Sequence, residues 1–243
     1  VDGGSAARWL LIGNSRWHWA GLHDGELITW DAAPAAAPEP SVHAWAAVGP
    51  VPAGAGLPQE RRLRLADVPL GLAPSWLGID RALGGWQAWR EHGGPVLVAD
   101  AGTVLSLTRV DGQGRFAGGR LMAGLALQLR AMAAGTEALP PPLRNGAVHD
   151  RPDQGPEPWP HETAAAMAVG VRRGLAAAVV AATLDLAQRE PEVGLVLTGG
   201  DGEGLLPLIA GGLAGRRPVP MLRPALCLEA LAALRPLRPD RDR

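Results

Sequence analysis

The sequence predicts an α/β protein made of two related halves, and three observations carry that prediction. Short apolar runs alternate along the chain with segments of helical spacing, as in strands covered by helices. The runs at Trp9–Ile12, Val96–Ala99 and Gly194–Leu197 each stop at a glycine-bearing turn. A strand, a turn and a hairpin also recur about 88 residues apart, around Gly13 and again around Gly102, the pattern of a duplicated unit. The expected halves are residues 1–94 and 95–243.

In order, Trp9–Ile12 is a strand closed by Gly13-Asn14-Ser15. Arg16–Leu22 and Glu26–Trp30 then form a hairpin through His23-Asp24-Gly25. The Pro/Ala tract Asp31–Pro40 has no period and reads as a surface loop. His43–Val48 is a further apolar run, and the alternation in Arg61–Leu65 suggests another strand. Gly78–His92 carries Ile79, Leu83, Trp86 and Trp89 at helical spacing. The second half restarts with Val96–Ala99, a strand over 104–110, an Asp-Gly-Gln-Gly turn and a strand near Arg115–Met122. A helix at Leu125–Ala134 and a Pro-rich stretch, Leu139–Pro160, come next. That stretch exceeds the usual length of a structureless loop, which marks it as functional or mobile. A long Ala-rich helix follows over Glu162–Arg189. The chain closes with a strand at Gly194–Leu197, a helix from Leu205, a strand at Val219–Leu222 and a helix at Ala225–Leu234.

Composition removes several classes of function. The 243 residues hold 23 basic and 24 acidic side chains, a net charge of −1, which argues against bulk capture of nucleic acid or an anionic membrane. All 23 basic residues are Arg. A P-loop lysine, a Schiff-base lysine and a lysine general base are therefore excluded, and phosphate must be held by Arg, backbone N–H groups or a metal. The single Cys227 gives no disulfide framework and suits a reducing cytoplasm. No apolar run approaches a membrane span, and the four-residue apolar core near the start is too short for a signal peptide. The chain starts without Met, so a few further residues are expected upstream.

Chemistry concentrates at the turns. Gly13-Asn14-Ser15, Asp100-Ala101-Gly102-Thr103 and Thr198-Gly199-Gly200 combine glycine, which lets backbone approach an anion, with hydroxyl or amide donors. The trio reads equally as anion nests and as ordinary hairpin punctuation. Asp100 follows a buried-type strand, where a carboxylate costs several kcal/mol unless a cation or donors compensate. Asp80 stands at a helix start, where it also complements the helix dipole. The six His residues have no zinc-site spacing, and neither a dinucleotide G-x-G-x-x-G nor a G-x-S-x-G elbow is present. Trp9, Trp17, Trp19, Trp30 and Trp45 fall on strand-like segments and read as packing rather than base-stacking.

At these residues the chain resembles the type III pantothenate kinases of the acetate and sugar kinase–Hsp70–actin superfamily. Ile12–Ser15 resembles the family's D-x-G-N-[ST] phosphate motif, Gly78–Arg81 its G-x-D-R motif and Asp100–Thr103 its second phosphate motif. Gly118–Gly124, Gly135–Pro140, Thr163–Gly170 and Leu197–Gly200 resemble four further motifs in order. The resemblance implies two ribonuclease H-like halves, the actin-like ATPase duplication, enclosing a nucleotide cleft. It implies ATP-dependent phosphorylation of pantothenate to 4'-phosphopantothenate, the first step of coenzyme A biosynthesis. Asp80 would take the proton from the acceptor hydroxyl, and Gly78, Ile79, Arg81 and Thr163 would hold pantothenate. Ile12, Gly13, Asn14, Ser15, Arg16, Thr103, Gly199 and Gly200 would hold ATP. Asp100 would bind a monovalent cation, K+ or NH4+, and Mg2+ would accompany ATP. Thr163 acting from a neighbouring subunit would imply a homodimer, and the location implied is cytoplasmic.

Two positions depart from the pattern. Leu11 stands where the family has the Asp of its first motif, and a Tyr-free chain lacks the family's pantothenate-contacting Tyr near Gly71, a space that Trp76 is expected to fill. The alternatives are a non-catalytic binding or regulatory relative and a kinase for another small hydroxylated substrate.

Overall fold

The computed structural model describes residues 8–33, 42–52, 54–141 and 157–237. Residues 34–40 of the Pro/Ala tract and 142–156 of the Pro-rich stretch lie outside them. The chain forms two compact units. The first holds Val1–Gly94, Val110–Ala117 and Ala225–Arg243, and the second holds Pro95–Arg109 and Gly118–Pro224. Each unit is thus discontinuous, and the last helix groups with the first unit.

The first unit is built on strands β1 (Arg8–Ile12), β2 (Trp17–His23), β3 (Glu26–Ala32) and β4 (Val42–Ala47), in sheet order β3-β2-β1-β4. β1 and β2 pair antiparallel, as do β2 and β3, while β4 lies parallel to β1. Leu10, Ile12, Trp17, Trp19, Val42 and Trp45 fill one core. Trp30 is partly exposed and stacks on Trp19, with ring planes 5° apart at 6.2 Å. Helix α1 (Ile79–His92) starts from extended Gly78 and ends at Gly93, whose φ of 72° is a left-handed cap. Of the residues that set the helical spacing, Ile79, Leu83 and Trp86 are buried and Trp89 is half-buried, and Ala82 and Ala88 are buried beside them.

The expected strand at Arg61–Leu65 is not one. Two short 3-10 turns, Gln59–Arg61 and Leu65–Asp67, occupy the region, and only Arg62 bridges to Trp45. The alternation came instead from Leu63, which is buried and donates its N–H to the Trp45 carbonyl at 2.7 Å, beside Arg62 over the Trp45 ring.

The second sheet holds β5 (Val96–Ala101), β6 (Val104–Val110), β7 (Phe116–Ala123), β8 (Gly194–Thr198) and β9 (Pro220–Leu222), in order β7-β6-β5-β8-β9, and belongs to the second unit except at the hairpin tip Val110–Ala117, which groups with the first. β8 is parallel to both β5 and β9. Three strands consecutive in the chain, followed outward from the first of them by a parallel strand, make the same order in both sheets. That is the structural form of the recurrence read in the sequence, and the fold is α/β as predicted. Helices α2 (Leu125–Ala134), α3 (Thr163–Arg189) and α4 (Gly202–Gly212) belong to this unit, and α5 (Leu226–Leu234) to the first. Contrary to the sequence reading, one helix among the described residues, α3, is long and apolar enough by length and composition to cross a membrane. Its Met167, Val171, Leu175 and Val179 are buried in a core with Leu97, Leu105, Leu195 and Leu197, so this apolarity serves packing within the unit. α4 begins at Gly202, three residues before the predicted start, because the Asp201 carbonyl already accepts the Leu205 N–H at 3.1 Å.

Candidate active site

In the first unit, the turn after β1 closes by a Gly13 N–H to Arg16 carbonyl bond of 2.9 Å. Asn14, Ser15 and Arg16 are exposed. The neighbouring strands give this turn a charged flank that the sequence reading missed. The Nδ1 of His18 on β2 lies 2.7 Å from Asp31 Oδ1 on β3, and Arg16 pairs with the other Asp31 oxygen at 3.3 Å. Leu11, opposite His18 in the register, is only 6 % exposed. The signal for Asp31 was available only through pairing, since it faces His18 across the sheet and is remote in sequence.

The start of α1 gathers Gly78, Ile79, Asp80 and Arg81. Asp80 is half-buried, and its Oδ1 accepts the Arg81 N–H at 2.8 Å. Burial raises its pKa above the ordinary carboxylate value, against the lowering effects of the Arg81 N–H and the Arg81 charge. Burial likewise lowers the Arg81 pKa, with the Asp80 charge opposing. The Arg81 guanidinium lies over the Phe116 ring, 5.7 Å from its centroid. Across the first unit's own interior, the Cys227 thiol donates to the Asp80 carbonyl at 3.4 Å.

In the second unit, Asp100 sits opposite Thr198 in the β5–β8 register, so the two glycine-bearing turns leave the sheet side by side. Gly199 has a φ of 85°, and a Cβ there would fall within 3.0 Å of both Asp100 Oδ1 and the Ala101 carbonyl. The Asp201 N–H donates to that same carbonyl at 2.9 Å. From the other side Gly124 donates to the Thr103 carbonyl at 3.0 Å, and a Cβ on Gly124 would collide with the Gly102 and Thr103 backbone. Thus Gly199 and Gly124 clamp the Asp100–Thr103 loop, a role for Gly124 that the sequence reading did not assign. Gly200 is exposed with open space around it, and Thr163 is exposed at the first turn of α3. The structure therefore brings Asp80 and Arg81 together in one unit, and Asp100, Thr103 and Gly199 in the other.

Among the described residues no group of three His, Cys, Asp or Glu side chains forms a metal cluster. The Asp100 carboxylate and the Ala101 carbonyl both lie close to where a Cβ at position 199 would stand, and both are oxygen donors of the kind a hard cation accepts.

The family description type III pantothenate kinase matches residues 60–184. A type III pantothenate kinase of Synechococcus elongatus is 36 % identical over 224 residues, covering 82 % of this chain and 86 % of that protein. The chain belongs to the type III pantothenate kinase family. A relative of the same family name from Gloeobacter violaceus is 40 % identical over 210 residues, covering 80 % and 86 % of the two chains. The matched span contains the Gly78–Arg81 and Asp100–Thr103 motifs and the Gly124 clamp. Among solved structures, the ethanolamine utilization protein EutJ of Carboxydothermus hydrogenoformans superposes with a TM-score of 0.50 at 12 % identity, covering 97 % of this chain and 90 % of that one, a likeness of fold. The type III pantothenate kinase fold here is of the actin-like ATPase class, with one sheet in each unit.

Proposed function

We propose that this chain phosphorylates the primary hydroxyl of pantothenate with ATP, the entry to coenzyme A biosynthesis. The observation that carries the reading is Asp80: a carboxylate at the head of α1, raised in pKa by burial, with an Arg beside it. A base whose pKa moves toward the working pH accepts a proton more readily. Asp80 would take the acceptor's hydroxyl proton, while Gly78, Ile79 and Arg81 hold the acceptor. Phosphoryl transfer asks mainly for positioning and charge neutralisation, so the base makes a modest contribution.

On the nucleotide side, the turn Ile12–Arg16 offers backbone N–H groups, the Asn14 and Ser15 side chains and a guanidinium. Thr103, Gly199 and Gly200 offer the second phosphate loop. Asp100 would hold the monovalent cation beside Gly199. Without a carboxylate cluster among the described residues, Mg2+ would be held chiefly by the nucleotide, where it supplies charge neutralisation at the phosphates. Thr163 would reach pantothenate in a neighbouring subunit. The homodimer is supported by the face of α3 that exposes Ala166, Gly170, Gly174 and Ala177, with open space around both glycines. The location proposed is the cytoplasm.

The test is conversion of pantothenate to phosphopantothenate with ATP and Mg2+, in K+, in NH4+ and with neither. Cation-dependent turnover supports the reading. A folded protein inactive with pantothenate in every cation overturns it and favours a binding role, the alternative that buried Leu11 supports.

A further inference from the structure

We propose that Asp31 is a positioning residue for the nucleotide: a carboxylate on β3, itself aligned by His18, that holds Arg16 ready for the phosphates. The inference rests on the reading above that the turn after β1 holds ATP. It starts from strand pairing. His18 on β2 stands opposite Leu11 on one side and Asp31 on the other, so Asp31 lies two strands away from the strand that carries the turn. From there its two oxygens divide. Oδ1 lies 2.7 Å from His18 Nδ1, and Oδ2 accepts an Arg16 guanidinium N–H at 3.3 Å.

An ionised carboxylate only accepts, so His18 Nδ1 is the donor and the ring orientation is set. The other edge of that ring packs on the turn, where a Cβ at Gly13 would stand 3.2 Å from His18 Nε2. Gly13 in turn donates its N–H to the Arg16 carbonyl at 2.9 Å. The contacts thus close a ring, from Asp31 through His18 and Gly13 to Arg16 and back to Asp31, all within the first unit. A carboxylate two strands away fixes both the backbone and the guanidinium of one turn residue.

A carboxylate beside an anion site repels the anion, so its presence there needs a reason. Stability does not supply one. The Arg16 and Asp31 side chains are 65 % and 46 % exposed, and exposed ion pairs contribute little to folding. Binding does supply one. Arg16 is long, and ordering such a side chain at the moment of binding costs conformational entropy. One N–H engaged by Asp31 holds the guanidinium beforehand, and the fork carries further donors for phosphate oxygens.

The experiment measures the Kd of ATP with Mg2+ by titration calorimetry, beside KM for pantothenate and Tm, in wild type, Asp31→Asn, Arg16→Gln and the double variant. Charge alone would make Asp31→Asn bind ATP more tightly, because a negative group leaves an anion site. Positioning gives the opposite sign. Kd is expected to rise about fivefold, the scale of ordering one long side chain. Tm is expected to fall by less than about 4 °C and KM for pantothenate to change little. In the Arg16→Gln background the same Asp31→Asn change is expected to give no rise. Tighter or unchanged ATP binding by Asp31→Asn overturns the proposal, as does an equal rise with and without Arg16. A matching rise in KM for pantothenate overturns it too, because that marks a general structural role. Calorimetry needs no acceptor, so the two readings fail separately. Wild type that binds ATP without phosphorylating pantothenate overturns the pantothenate reading, and the Kd comparison still decides the role of Asp31. Wild type that binds no ATP overturns both.

Discussion

Gly199 and Asp100 are joined by shape: the left-handed glycine turns its backbone so close to the carboxylate that a single methyl would occupy the space between them. Gly199→Ala therefore combines an unfavourable φ of 85° with a collision against Asp100 and Ala101. The expected cost is about 1–3 kcal/mol of stability, the usual range for residues held in sparsely populated backbone regions. The half-activating K+ concentration is expected to rise as Asp100 is displaced. Gly204→Ala, on α4 with open space around it, is the control and is expected to hold or raise Tm. A Gly199→Ala protein with unchanged Tm and unchanged K+ response would refute the clamp.

Gly124→Ala strikes backbone rather than a movable side chain, since the neighbours are the Gly102 and Thr103 carbonyls. Displacing that loop is expected to raise KM for ATP about tenfold, one lost hydrogen bond's worth, while KM for pantothenate changes less. The two Michaelis constants, measured separately, check this. A larger effect on pantothenate than on ATP would remove Thr103 from the nucleotide side.

For Asp80 the pKa shift fixes a sign. Its folded pKa lies above the unfolded value of about 3.8, so the folded state binds the proton more tightly. Its ionisation therefore costs stability as pH rises through that window, and the cost is complete above the folded pKa. Asp80→Asn is expected to abolish turnover yet to match or exceed wild-type Tm at pH 8, with the difference vanishing as pH falls toward 4. The wild-type kcat/KM is expected to lose activity on acidification at a pH above the ordinary carboxylate range. Substantial turnover by the Asn variant would remove Asp80 from the role of base.

Helix α1 and the glycine-bearing turns after β1, β5 and β8 were legible in the sequence because local rules write them: a 3.6-residue period from Ile79 onward, and glycine where a strand must stop. The strand order was legible only as a recurrence, and the return of α5 to the first unit was not, since nothing local to Leu226–Leu234 names its partner α1. The false strand at Arg61–Leu65 shows the limit from the other side. Leu63 alternates with charged neighbours in a segment whose burial comes from one bridge to Trp45, not from a ladder. The clamps by Gly124 and Gly199 were hidden for the same reason. Each acts on a residue far away in sequence, and single-sequence patterns carry spacing, not contact.

The last prediction concerns the row Ala46–Leu11–His18–Asp31, which runs across β4, β1, β2 and β3 in register. Cross-strand partners share a face of the sheet, so a carboxylate at position 11 would stand beside His18 and near the Gly13 turn. Leu11 is buried, and Leu11→Asp is expected to lower Tm, because a carboxylate there loses water and a leucine's apolar burial is lost with it. If the turn binds the metal–nucleotide, part of that loss is recoverable by ligand. Adding ATP with Mg2+ is then expected to raise the variant's Tm by more than it raises that of wild type, whereas ATP with EDTA is not. Thermal unfolding of both proteins under the two conditions decides it. Equal Mg2+-dependent shifts would mean that position 11 has no part in holding the metal–nucleotide, and that the wild-type Leu11 costs the enzyme nothing there.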